Sequence, residues 1–130
     1  MILYLATSYQ ESANLRPMHE FSLATDVINL AQNEAEKNGA TIIREISIEI
    51  GDLSGVEAQA FESALELLVK ESVLGDAKII IIRNPGIGRC DACDRDFEMH
   101  HRLASCPDCH CFPSQIKGGE EFRVISLLVD

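Results

Sequence analysis

Two Cys-x-x-Cys pairs, Cys90–Cys93 and Cys106–Cys109, lie in the last third of the chain with twelve residues between them. Each pair can present two sulfurs on one side of a tight turn. Two such turns facing each other make the four-thiolate tetrahedron that zinc prefers. The second pair also carries Pro107, giving Cys-Pro-Asp-Cys. A ribbon so small buries too little apolar surface to fold alone, so a metal is expected to hold it together. Four thiolates leave no open coordination position, which makes such a zinc a staple and not a Lewis-acid catalyst.

At 130 residues the chain has the size of one ordinary domain, or of a domain with a small appended module. An apolar fraction of 46% is enough for a real core. No apolar run approaches the ~18 residues of a membrane span, and the opening Met1–Ala6 has no basic region of a signal peptide. A cytoplasmic location is expected, where thiols stay reduced and paired Cys-x-x-Cys reads as metal or redox chemistry rather than disulfide. The odd count of five cysteines agrees. The formal net charge is −10, with 11 basic residues against 21 acidic ones. Within 84–117, Arg89, Arg95, Arg102 and Lys117 face Asp91, Asp94, Asp96, Glu98 and Asp108. Phosphate neutralisation needs the opposite balance, so neither a nucleic acid nor an anionic membrane is an expected partner.

Residues 20–38 have helical spacing, with Phe21, Ala24, Val27, Ile28, Ala31 and Ala35 on one face and Gly39 as the stop. From Thr41 to Ile50 the pattern alternates, with Ile42, Ile46, Ile48 and Ile50 pointing one way, as in a half-buried strand. Ser54 and Glu57 read as the capping box of a second helix, whose buried face would be Ala60, Phe61, Ala64, Leu67 and Leu68. Ile79–Ile82 is a β-branched run suited to a strand covered on both faces. Asn84–Gly88 and Gly118–Gly119 are mirrored breaks around the cysteines, and 122–129 is a last apolar strand. The fold class expected is α+β, a small three-stranded sheet with two helices and an inserted tetrathiolate zinc module. The expected division is an N-terminal extension at 1–17, a body of 18–83 with 118–130, and a metal module at 84–117.

Iron in a rubredoxin-like site is the rival to zinc at Cys90, Cys93, Cys106 and Cys109, since the same knuckles serve both metals. Cys111 reads as a bystander thiol or an alternate ligand. His100, His101 and His110 are loop residues that could hold a second metal weakly. Met18-His19-Glu20 is unremarkable on composition alone: a lone histidine before a helix is by default a surface residue, and Glu20 a first-turn carboxylate.

Met18-His19-Glu20-Phe21-Ser22-Leu23 nevertheless resembles the Met-His-Glu-x-Ser start of the HypA/HybF family of nickel metallochaperones. The similarity continues through Ile48–Glu57 and Phe61-Glu62, then through Cys90-Asp-Ala-Cys93, Phe97-Glu98 and Cys106-Pro-Asp-Cys109, and closes at Gly119-Glu-Glu121-Phe122. The motifs run in the family's order over nearly all of 18–130. The resemblance implies a protein that carries Ni(II) for [NiFe]-hydrogenase maturation. Its nickel ligands would be the Met18 amine, the backbone nitrogens of His19 and Glu20, and the His19 imidazole, a planar nitrogen set that suits Ni(II). Zn(II) at the four cysteines would be structural. The implied partners are a HypB-type GTPase and the hydrogenase large subunit, and some members also feed urease through its accessory proteins.

Two departures stand out. Seventeen residues precede Met18, so in the full chain its nitrogen is the Pro17–Met18 amide. Translation from Met18 is expected, with residues 1–17 a start-site error; the alternative is a tail that shields the site until it is removed. His110 stands where the family's second knuckle usually has glycine, which asks a histidine to adopt left-handed geometry. Beside the nickel carrier, two other readings stay open: an electron-transfer protein with iron at the cysteines, and a zinc-stapled adaptor in which His19 is unimportant. An enzyme is the least expected, because no serine or cysteine nucleophile has a base at a recognisable spacing.

Overall fold

The structure, a computed structural model, describes residues 1–5, 19–72 and 74–130. In chain order its elements are β1 (Ile2–Tyr4), α1 (His19–Lys37), β2 (Ile43–Gly51), α2 (Ala58–Val69), β3 (Lys78–Asn84), β4 (Gly86–Cys90), β5 (Arg95–Met99), β6 (Gln115–Gly118) and β7 (Phe122–Val129).

Helix α1 buries Leu23, Ala24, Val27, Ile28, Ala31 and Ala35, a single stripe at helical spacing. Phe21, expected on that stripe, is partly exposed. Gly39, at φ 70°, stops the helix, with Gly39 N and Ala40 N donating back to the carbonyls of Glu36 and Ala35. In β2 the isoleucines at 46, 48 and 50 face the core as expected, but Ile43 is buried where Ile42 was expected. The pairing with β7 shifts register between Ile43 and Glu45, and that irregularity resets the alternation.

Helix α2 starts later than the capping-box reading placed it. Ser54 Oγ accepts from Val56 N, while the Glu57 carboxylate caps the helix, accepting from Gln59 N at 3.3 Å and Ala60 N at 2.6 Å. A carboxylate suits the positive end of a helix electrostatically. The later start rotates the buried face onto Ala58, Phe61, Ala64, Leu65 and Val69, and leaves Ala60 and Leu67 in solvent.

The main sheet has the order β1-β7-β2-β3. β3 runs parallel to β2, and β7 is antiparallel to both β2 and β1. The three expected strands are therefore joined by a fourth, drawn from the segment ahead of Met18. β3 lies at an edge, so its isoleucine run is half-buried and not covered on both faces; Ile79 and Ile81 pack on the core while Ile82 is exposed. Both helices contribute to one core with the sheet, where Phe61 and Phe122 meet edge to face at 5.1 Å.

A second, antiparallel sheet of order β5-β4-β6 carries the cysteines. Only Pro85 separates β3 from β4, so part of the expected break at 84–88 is strand. The two sheets meet at a junction of backbones. Gly51 N donates to Glu121 O and Leu53 N to Gly119 O, both at 2.7 Å, and Asp52 N to Asn84 O at 2.8 Å. A Cβ on Gly51 would collide with Gly119 O, and one on Gly119 would collide with Gly86 Cα. Only glycines allow that approach. From this junction Leu53 leaves the body and inserts among Cys90, Phe97, Met99 and Cys106, the buried centre of the second sheet. No helix of the described residues is long and apolar enough to cross a membrane.

Candidate metal centre

Cys90 closes β4 and Cys93 sits in the turn to β5, while Cys106 and Cys109 lie in the loop before β6. The hairpin and the loop face each other, and the four Sγ atoms all fall within 4.8 Å of one another. Cys90 Sγ lies 3.4 Å from Cys109 Sγ, and Cys106 Sγ lies 3.9 Å from Cys93 Sγ. A zinc tetrahedron with ~2.3 Å bonds has sulfur–sulfur edges of about 3.8 Å. The four residues thus fit a tetrathiolate zinc by donor type and by spacing. Cys90 and Cys106 are buried and their partners half-buried, which shields the sulfurs from exchange with solvent.

The two knuckles share one backbone device. The residue following the second cysteine of each pair has positive φ: Asp94 at 54° and His110 at 63°. His110 therefore adopts the left-handed geometry that its position demanded. His110 N donates to Cys106 O at 2.8 Å, and Cys106 N donates to Cys111 O at 2.9 Å, which closes the second knuckle. Backbone N–H groups of Cys109 and Asp108 aimed at Cys106 bring its thiol down to about 6, favouring the thiolate that a metal binds. Cys93 is pushed up to about 12, chiefly by its hydrogen bond with Cys109 and then by burial. Four thiols this close do not all ionise unless a cation neutralises them, and a divalent ion supplies that charge.

Cys111 is exposed and outside the four-sulfur group. Among the described residues, His100, His101 and His110 join no such cluster of donors. His100 is instead engaged across the junction, its Nδ1 2.9 Å from Asp52 Oδ2, and Asp52 Oδ1 accepts from Arg83 at 2.9 Å. Arg102 donates to Leu53 O at 2.7 Å and pairs with Glu120. The basic residues of the ribbon are committed to acids: Arg89 to Asp94, Arg95 to Asp108 and Lys117 to Asp96. The part that Asp52, Leu53 and His100 play at the junction escaped sequence reasoning, which offered His100 only as a weak metal ligand. The one available signal was a leucine inside an otherwise polar Gly-Asp-Leu-Ser-Gly turn.

His19 opens α1 and is 7% exposed, not the surface residue that its position before a helix led one to expect. Glu20 Oε1 accepts from Glu57 N at 3.4 Å, tying the start of α1 to the cap of α2. Met18 lies outside the described residues.

A two-helix α+β body joined to a small sheet with a four-thiol cluster defines a class of compact proteins with the donor set of a structural zinc. The chain belongs within that class to the HypA family: the model described as "Hydrogenase/urease nickel incorporation, metallochaperone, hypA" matches residues 18–129. The hydrogenase maturation factor HypA of Parabacteroides distasonis is 38% identical over 112 residues, covering 86% of this chain and 97% of that protein. That of Francisella philomiragia is 38% identical over 111 residues, covering 85% and 98%. The solution structure of the nickel metallochaperone HypA from Helicobacter pylori superposes with a TM-score of 0.58 at 30% identity, covering 85% of this chain and 96% of that one. A second HypA solution structure gives 0.59 at 31% identity, covering 88% and 98%.

Proposed function

We propose that this chain is a nickel carrier without catalytic turnover. Ni(II) is its cargo, bound by His19 with Met18 and Glu20 at the start of α1, and Zn(II) is its staple, held by Cys90, Cys93, Cys106 and Cys109. The observation that carries the reading is the match to a nickel-incorporation family that begins at residue 18, where Met18-His19-Glu20 stands. The four-sulfur cluster supports the zinc half. When bound, the zinc supplies only charge and crosslinking, because four thiolates fill its coordination sphere. Residues 84–117 are then a module that opens when its metal is removed while the helical body stays folded. The partners of this reading are a HypB-type GTPase and the hydrogenase large subunit in the cytoplasm, with urease accessory proteins as a second outlet.

Nickel titration by calorimetry on the zinc-loaded chain and on His19→Ala tests the reading, with zinc content measured alongside. The expected result is one nickel per wild-type chain and at least a tenfold loss of affinity in the variant, about 1.4 kcal/mol, with one zinc retained in both. Unchanged nickel affinity would replace the carrier by a zinc-stapled adaptor. A chain beginning at Met18, whose amine is free, should bind nickel more tightly than the chain that carries residues 1–17.

A further inference from the structure

The family match begins after β1, so this strand is an addition to the matched fold. β1 lies antiparallel along β7, with Ile2, Leu3 and Tyr4 opposite Leu128, Leu127 and Ser126. The pairing extends one residue each way: Val129 N donates to Met1 O at 2.8 Å, and Leu5 N donates to Ile125 O at 2.9 Å. Leu3 and Leu5 pack on the main core, while Ile2 and Tyr4 are 54% and 76% exposed. So short a strand, with half its side chains in water, is a weak lock.

The edge beneath it is the opposite. Val124–Val129 contains no charge, proline or glycine, three of the devices by which natural edges discourage pairing, and its register shifts against β2 do not interrupt the pairing on the β1 side. It is also self-complementary. Met1, Leu3 and Leu5 stand opposite Val129, Leu127 and Ile125. A second β7 laid antiparallel about Leu127 would put Ile125, Leu127 and Val129 into those same three seats, with a leucine again facing the core at the centre. We propose that β1 is an intramolecular guard of the β7 edge, and that the partner this edge accepts when β1 leaves is a second copy of the chain, paired β7 to β7. The two main sheets then run on as one, with the helices of both copies on the same face.

Sedimentation equilibrium and amide exchange on the full chain and on Leu3→Pro test this, since proline removes the amide at the centre of β1. The full chain should sediment at 14.3 kDa, with the Val129 amide protected at every concentration. Leu3→Pro should double in mass, with Val129 protection that is lost on dilution, and a synthetic peptide of residues 1–6 should return it to the monomer mass. A monomeric Leu3→Pro with a native circular-dichroism spectrum and a freely exchanging Val129 amide overturns the proposal, as does a full chain that is already dimeric. If Leu3→Pro does not fold, Leu5→Pro takes its place with the same expectations. Failure of both to fold would make β1 an integral strand and not a displaceable guard, which also overturns the idea.

Discussion

Leu53→Ala isolates the contact that seats the metal ribbon on the body. Leu53 is 2% exposed and packs with Cys90, Phe97, Met99 and Cys106. The substitution removes three carbons, worth about 2.4 kcal/mol at ~0.8 kcal/mol per buried carbon. The cavity left behind adds to this unless the walls close, and here they are held open. Gly86, which leaves no room for a Cβ against the Leu53 side chain, is pinned in β4 opposite Met99 of β5, and the Leu53 amide is fixed on Gly119 O. The loss should therefore fall at about 3–4 kcal/mol, within the range for leucine-to-alanine changes in cores that relax little. Its effect should be confined to the ribbon. In urea, with zinc release read by a chromogenic chelator and the helices by far-ultraviolet circular dichroism, the zinc-release midpoint should fall by roughly 1.5 M for a slope of ~2 kcal/mol/M. The helical midpoint should move much less. A zinc-release shift under about 0.5 M would show that Leu53 is not the plug between the two sheets.

Two further substitutions probe the junction and the knuckle. Asp52 is held below the ordinary carboxylate range, first by its hydrogen bond to His100 and then, against the cost of burial, by Arg83. A depressed carboxylate contributes stability that is complete above its unfolded value near 3.9 and is lost as pH falls through the lower folded value. Asp52→Asn should thus cost about 1 kcal/mol at pH 7, since both partners are largely exposed, and urea midpoints of variant and wild type should draw together as pH falls below about 4. A gap that does not narrow as pH falls below about 4 would mean the asparagine disturbs packing instead. His110 sits at φ 63°, where a side chain costs ~1–2 kcal/mol and glycine costs none. Glycine also loses more entropy on folding, so His110→Gly should raise zinc-loaded stability by a net ~0.5–1 kcal/mol; a loss would show that the imidazole makes a contact the knuckle needs.

The parts of this fold that could be read from the chain are those fixed by local periodicity or by metal-ligand spacing. Ile46, Ile48 and Ile50 alternate, Val27, Ile28, Ala31 and Ala35 form a stripe, and the paired cysteines converge on one point. What escaped was decided by neighbours far along the chain. Ile43 replaces Ile42 inside because β7, at the far end of the sequence, shifts register there. Glu57 displaces Ser54 as cap where Glu20 reaches over from another helix. β1 could not be foreseen because three residues with no clear alternation become a strand only when an apolar edge is waiting for them.

The junction shows the same dependence in its purest form. Gly51, Gly86 and Gly119 come from three separate stretches of sequence and are turn residues when read singly. Together they let the end of β2 and the turn after it hydrogen-bond the backbone of the β6–β7 link at a distance that no side chain allows. Leu53 can cross into the ribbon only because of that approach, so the polar turn that displays it is a bearing surface and not a linker. The cysteine ribbon is thereby held against the body by backbone and by one leucine, with Asp52, His100 and Arg102 around it. The two ends of the fold are therefore steadied separately: the ribbon by the convergence of its four cysteines, the start of α1 by Glu20 on the cap of α2.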